Sequence, residues 1–105
     1  MINILNNNIN LVSLTLTEKT DPIDFVKWDL YLYFKEDKQL KYTFELDEND
    51  DLSLNTERYN QFELDFTTLD LPRGEYDYFV YAENTNGTYS TMYRVESGRL
   101  NIKND

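Results

Sequence analysis

The sequence has no cysteine and no histidine, and each absence excludes a class of chemistry. Without cysteine the chain can form neither a disulfide nor a thiolate metal site, which is typical of proteins that fold in a reducing compartment. Without histidine it lacks the usual zinc ligand and the commonest general base. The 3 glycines do not have the spacing of a phosphate-binding loop. We therefore expect a protein that is not an enzyme and holds no cofactor or metal.

Basic charge and long apolar runs are also scarce. The chain carries 20 acidic and 10 basic residues, a net charge of −10. Repulsion from phosphate groups makes nucleic acid and anionic membranes poor partners. No apolar run is long enough to span a membrane, and the first five residues lack the basic flank of a signal peptide. The charge suits a basic partner surface, or simply keeps a small protein soluble.

Aromatic residues are abundant, with 9 Tyr, 6 Phe and 1 Trp in 105 residues. They lie in runs that alternate with a period of two, which predicts strands with one buried face. The clearest run begins after Pro-Arg-Gly at residues 72–74 and leads to Asn-Gly at residues 86–87, a pair that suits a hairpin turn. One side of this run carries Tyr76, Tyr78, Val80 and Ala82, and the other carries Glu75, Asp77, Phe79 and Tyr81.

The same alternation predicts further strands at residues 10–17, 25–35, 39–46, 59–67 and 88–95. The run at 25–35 is apolar on both sides, which favours a central strand with Trp28, Leu30, Leu32 and Phe34 in the core. After residue 95 the alternation resumes out of phase, which predicts a bulge at Ser97-Gly98.

We expect one domain at residues 10–105, preceded at residues 1–9 by an edge strand or by an arm that pairs with a neighbouring subunit. About seven short strands without a helical period predict an all-β fold, an immunoglobulin-like antiparallel β-sandwich. An up-and-down barrel is the alternative, although the polar connection at residues 47–58 is long for a simple meander.

Acidic residues offer two weak candidates for chemistry. Asp-Glu-Asn-Asp-Asp at residues 47–51 begins like a calcium loop, but Leu52 and Arg58 occupy the positions where an EF-hand needs Gly and Glu. A solvated acidic loop is the simpler interpretation, and a looser calcium site is the alternative. The pairs Glu63/Asp65 and Glu75/Asp77 are expected to point to solvent, where nothing would raise a carboxyl pKa for catalysis.

Four aromatic residues form the candidate binding surface. If the core faces are as predicted, two neighbouring strands direct Tyr31, Tyr33, Phe79 and Tyr81 outwards. An aromatic surface of roughly a few hundred Å² on a small protein is typical of a protein–protein interface. The alternative is that loops or the stems of charged side chains cover these rings.

The segment from Leu71 through Gly74, Tyr76, Tyr78, Val80 and Ala82 to Asn84 and Gly87 resembles the late strands of fibronectin type III and related immunoglobulin-like modules. The resemblance implies that Tyr76 occupies the position of a tyrosine corner, with its hydroxyl bonded back to the chain before the turn. The spacing between Leu71 and Tyr76 is one residue shorter than is usual in fibronectin modules.

A longer resemblance is to small β-sandwich virion proteins of tailed phages that infect Bacteroides-type hosts, including the crAss-like group. It implies an auxiliary capsid (decoration) protein, made in the host cytoplasm and docked on the virion. The alternative is a carbohydrate-binding module whose tyrosines stack on sugar rings. The segments that carry the resemblance are Leu-Thr-Leu-Thr-Glu at residues 14–18, Arg-Tyr-Asn-x-Phe at 58–62, Leu-Pro-x-Gly-x-Tyr-x-Tyr-x-Val-Tyr at 71–81 and Glu-x-Gly-x-Leu-x-Ile at 96–102.

Overall fold

Seven strands make up most of the part of the chain that the structure describes. The computed structural model describes residues 1–16, 25–54, 59–86 and 89–104. Among these residues there is no α-helix, and a short 3-10 turn, Glu48–Asp50, follows the fourth strand. The strands are β1 (Ile2–Leu5), β2 (Ile9–Leu14), β3 (Phe25–Phe34), β4 (Leu40–Asp47), β5 (Asn60–Asp65), β6 (Gly74–Asn86) and β7 (Tyr89–Lys103).

The strands form two sheets of unequal size. The larger sheet has the order β1-β7-β6-β3-β4, and the smaller sheet contains β2 and β5. All pairs are antiparallel except β1 with β7. The central β7-β6-β3 arrangement facing a β2–β5 pair is that of an immunoglobulin-like sandwich, in which strands G, F and C face B and E. The predicted all-β sandwich is confirmed, and the strand order is not that of an up-and-down barrel.

The core lies between the sheets, where the alternating residues of β3 and β6 meet those of β2 and β5. Trp28 of β3 is 3% exposed and contacts Phe62 of β5 edge-on, with ring centroids 6.1 Å apart. Phe34, predicted to be a core residue, is only half-buried and packs against Tyr76 at the end of the sheet. The predicted inward residues of β6 are all buried: Tyr76, Tyr78, Val80 and Ala82.

A tyrosine corner ties β6 to the turn before it. The Tyr76 hydroxyl donates a hydrogen bond to the carbonyl oxygen of Pro72, and the residue is fully buried. Burial raises the pKa of Tyr76 to about 12, with a smaller contribution from the charge of Asp37. The hydroxyl is therefore a permanent donor at physiological pH, as the resemblance to immunoglobulin-like modules implied.

The bulge in β7 lies closer to its start than predicted. The register with β6 shifts between Val80, which faces Glu96, and Tyr81, which faces Arg94, so Val95 is the extra residue. The phase change was predicted correctly, but its position at Ser97-Gly98 was wrong. Gly98 serves a different purpose, because it lies opposite Tyr78, whose hydroxyl would be only 2.8 Å from a Cβ atom there.

The first strand is an edge strand of the larger sheet. It runs parallel to β7 and buries Ile4 in the core, with an exposed fraction of 1%. The Asn10 side chain binds the outward backbone groups of Leu5: its amide nitrogen donates to the Leu5 carbonyl, and its oxygen accepts from the Leu5 N–H. Strand addition by a neighbouring subunit, the alternative for residues 1–9, would have to use the edge before Leu5.

We expect Tyr76→Phe to lower the free energy of unfolding by about 1–2 kcal/mol, because the Pro72 carbonyl loses its donor while the ring stays buried. Urea unfolding followed by tryptophan fluorescence measures the change. Tyr81→Phe is the control, since it also removes one tyrosine hydroxyl but leaves the corner intact. Equal effects of the two substitutions would contradict the role assigned to the corner.

We expect Gly98→Ala to destabilise the protein by about 1–3 kcal/mol, because the new methyl group overlaps the buried Tyr78 ring. The neighbouring exposed Ser97→Ala should have little effect on stability. Thermal unfolding of both variants provides the comparison, and a Gly98→Ala variant as stable as the parent would show that the Tyr78 ring moves away freely.

Candidate functional site

The structure brings the four outward aromatic residues together at the centre of the larger sheet. Strands β3 and β6 are neighbours, and Tyr31 lies directly opposite Phe79. The rings of Tyr31 and Tyr81 meet edge to face with centroids 5.5 Å apart and an interplanar angle of 89°. Those of Tyr33 and Phe79 do the same at 5.7 Å and 80°. We call these four residues the outer aromatic cluster.

Each ring of the outer aromatic cluster is half-buried. Mutual packing accounts for part of this burial, and a charged side chain from β7 accounts for another part. The Arg94 guanidinium lies 5.8 Å from the Phe79 ring centroid, which is within the range of a cation–π contact. The rings therefore lie on the outer face, as predicted, and a charged side chain lies against one of them.

Charged and polar residues flank the outer aromatic cluster. Asp29 lies opposite Tyr81, and Asp77 lies opposite Tyr33 on one side and Arg99 on the other. At the end of this face Lys35 forms a 3.0 Å ion pair with Glu75, and its hydrogen bond and charge lower the pKa of Glu75. An aromatic centre within a polar rim has the anatomy of a protein-binding surface.

The acidic loop after β4 is organised by its own hydrogen bonds. The Asp51 carboxylate accepts hydrogen bonds from the backbone N–H groups of Ser53 (3.0 Å) and Gln61 (2.9 Å) and from the Asn60 side-chain amide (2.6 Å). The described residues include no group of three or more His, Cys, Asp or Glu side chains placed to hold a metal ion. In this structure Asp51 acts as a clamp between the loop and β5.

Asn60 extends this clamp into the core, and the sequence analysis did not single it out. Its side chain is fully buried, and its oxygen accepts a 2.8 Å hydrogen bond from the Leu16 N–H. Asp51, Asn60 and Leu16 therefore form a chain of hydrogen bonds from the loop through β5 to the segment after β2. The sequence pattern could have predicted this role, because Asn60 stands two residues before Phe62 in the inward phase of β5. A polar side chain at such a position needs a hydrogen-bond partner.

The two candidate carboxylate pairs lie on outer faces of the sheets. Glu63 and Asp65 are exposed on the outer side of β5, and Asp65 accepts hydrogen bonds from the backbone and hydroxyl of Thr67, which lower its pKa. Glu75 is engaged by Lys35. A general acid needs a raised pKa, whereas the shifts at Glu75 and Asp65 are in the opposite direction.

Comparison with known proteins gives no functional lead. No protein-family model matches the chain, and no curated protein sequence matches it significantly. Within the described part of the chain, no helix has the length and apolar character needed to cross a membrane.

The hydrogen bonds of Asp51 should make the free energy of unfolding depend on pH in the acidic range. Burial raises the pKa of Asp51, but the hydrogen bonds from Gln61, Ser53 and Asn60 together lower it below its ordinary value of 3.8. A carboxyl with a lowered pKa stabilises the fold above its ordinary pKa, and this contribution is lost as the pH falls through the folded value.

We therefore expect Asp51→Asn to lower the free energy of unfolding at pH 7, because a neutral amide accepts the three hydrogen bonds less strongly than a carboxylate. The loss should be only about 1 kcal/mol, because Asp51 is partly exposed and water screens its charge. The difference from the parent should shrink below about pH 4. Urea unfolding at a series of pH values measures it, with the exposed Asp70→Asn as control. A difference that stays constant down to pH 2 would contradict the clamp.

Proposed function

We propose that the protein is a non-enzymatic binding module that docks on a larger protein assembly through the outer aromatic cluster. The observation that carries this proposal is the meeting of four aromatic rings from β3 and β6 on the outer face of the larger sheet. A sandwich fold has no need to place large apolar rings on that face, because its core lies on the other side. Tyrosine and arginine are among the residues that dominate interface energies.

The resemblance to small virion proteins of crAss-like phages suggests that the assembly is a phage virion. We infer a decoration protein that is made in the host cytoplasm and binds the outside of a capsid. A net charge of −10 keeps such a protein soluble before assembly and favours a basic acceptor surface. The same charge disfavours nucleic acid as the partner.

A carbohydrate partner is less well supported by the ring geometry. Stacking on a sugar requires a ring face that is accessible and flat against the ligand. Here the ring pairs are almost perpendicular, and each ring of the outer aromatic cluster is half-buried. This arrangement suits a shaped protein surface better than a planar sugar platform.

Co-sedimentation tests the proposal. The tagged chain, expressed in the cells that make it naturally, should travel with large particles in a density gradient. We expect Tyr31→Ser combined with Phe79→Ser to reduce the particle-bound fraction at least tenfold, because interface energy is concentrated in buried aromatic side chains. Circular dichroism and thermal unfolding establish that the variant is folded.

The matched control removes two apolar residues from the outer face of the smaller sheet. Ile9 and Leu11 are 58% and 59% exposed, and Ile9→Ser with Leu11→Ser should leave co-sedimentation unchanged. A folded Tyr31/Phe79 variant that still travels with particles would refute the docking surface. Absence of the parent chain from every large particle, together with retention on immobilised glycans, would favour the carbohydrate alternative.

A further inference from the structure

The two sheets are mismatched in width, and the mismatch leaves one strand incompletely covered. Strand β4 ends the five-stranded sheet, whereas the facing sheet contains only β2 and β5 among the described residues. The inward side chains of β4 alternate at Tyr42, Phe44 and Leu46, which lie opposite inward residues of β3. Leu46 is 3% exposed, Phe44 is half-buried and Tyr42 is 38% exposed. The inward side chains of β4 thus become more exposed from Leu46 towards Tyr42, although they lie on the core face of the sheet.

A groove of about 360 Å³ lies where this face meets β5. Its size is within the range of about 300–1,000 Å³ that is usual for binding pockets. Carboxylates stand among its lining residues, and no lysine or arginine of the described segments lines it. We call it the seam groove; it is lined by Phe44, Leu46, Leu52, Phe62 and Leu64, which are apolar, and by Glu45, Asn49, Asp50 and Glu63, which are polar.

The seam groove runs beside the edge of β5 that faces away from β2. Gln61 of β5 directs its backbone to this edge, where its N–H donates to Asp51 and its carbonyl accepts a 2.8 Å hydrogen bond from the Leu52 N–H. Backbone groups of a strand point to alternate sides, so Glu63 and Asp65 face the same edge as Gln61. Among the described residues no strand pairs with β5 on this side. Leu52 therefore begins a pairing that the described chain does not continue.

We propose that the seam groove accepts an extended segment of a partner protein in which basic and apolar residues alternate. The segment adds to β5 as a third strand of the smaller sheet, with its backbone paired at Glu63 and its apolar side chains against Phe44 and Tyr42. Glu45, Asp50 and Glu63 attract its lysine or arginine side chains. A second copy of this chain is a poor occupant, because each copy carries a net charge of −10.

This surface is independent of the proposed docking face. The outer aromatic cluster lies on the outer side of β3 and β6, whereas the seam groove lies at the edge of the sandwich between the two sheets. None of the four residues of the outer aromatic cluster lines the seam groove.

A fluorescein-labelled eight-residue peptide of alternating valine and lysine is the probe, and fluorescence anisotropy measures its binding. We expect the same peptide with glutamate in place of lysine to bind at least about tenfold more weakly. Two further peptides carry N-methyl groups, one on all valine amides and the other on all lysine amides. Because alternate amides of a strand point to opposite edges, only one of these two sets can pair with β5, so the two peptides should differ in affinity. One methylated peptide should keep the affinity of the parent peptide, and the other should lose binding.

Protein variants locate the site. Glu45→Lys with Glu63→Lys reverses two exposed carboxylates of the seam groove and should weaken the lysine peptide about tenfold or more. Glu36→Lys with Asp70→Lys changes the net charge equally at exposed positions outside it and should change affinity less than about twofold. The backbone amide resonance of Glu63 should shift on titration of the parent protein.

Four results would overturn the proposal. They are no binding of the lysine peptide, equal weakening by the two charge-reversal variants, equal affinity of both N-methylated peptides, and dimerisation of the chain alone that Glu45→Lys with Glu63→Lys abolishes. The last result would assign the seam groove to a second copy.

Discussion

The structure depends on the fact that β3 and β6 carry large apolar side chains on both faces, while a sandwich buries only one face of each sheet. The inner-face residues of both strands are at most 7% exposed: Trp28, Leu30 and Leu32 of β3, and Tyr76, Tyr78, Val80 and Ala82 of β6. The remaining rings are left on the outer face, where they reduce their exposure by packing against one another. The outer aromatic cluster is thus a consequence of two strands that are more apolar than the core requires.

The smaller sheet sets the second constraint. In the part of the chain that the structure describes, two strands face five, so they cover the middle of the larger sheet and leave its β4 end less protected. The Asp51–Asn60–Leu16 hydrogen bonds anchor the acidic loop to the smaller sheet and satisfy a fully buried amide. An unsatisfied polar group at this depth would cost about 1–3 kcal/mol. The clamp also fixes the position of Leu52 beside β5, where the seam groove begins.

The sequence predicted the strands well because a period of two directly reflects which face is buried. It placed the core residues of β3 and β6 correctly except for Phe34, whose position at the end of β3 leaves it half-covered. The order of the strands and the number of strands in each sheet could not be predicted from the sequence, since they depend on pairings between residues far apart in the chain. The bulge was misplaced for a similar reason: Gly98 looked like a local irregularity, but it is required by the Tyr78 ring on the neighbouring strand.

Oxidative footprinting of the native protein, free and in any large particle with which it co-sediments, tests the central claim most directly. Hydroxyl radicals label accessible aromatic rings, and mass spectrometry measures the extent at each residue. Docking through the outer face predicts that labelling of Tyr31, Tyr33, Phe79 and Tyr81 falls on assembly, while Tyr76 is unlabelled in both states. Unchanged labelling of those four residues, with protection confined to Leu11 and the smaller sheet, would contradict it.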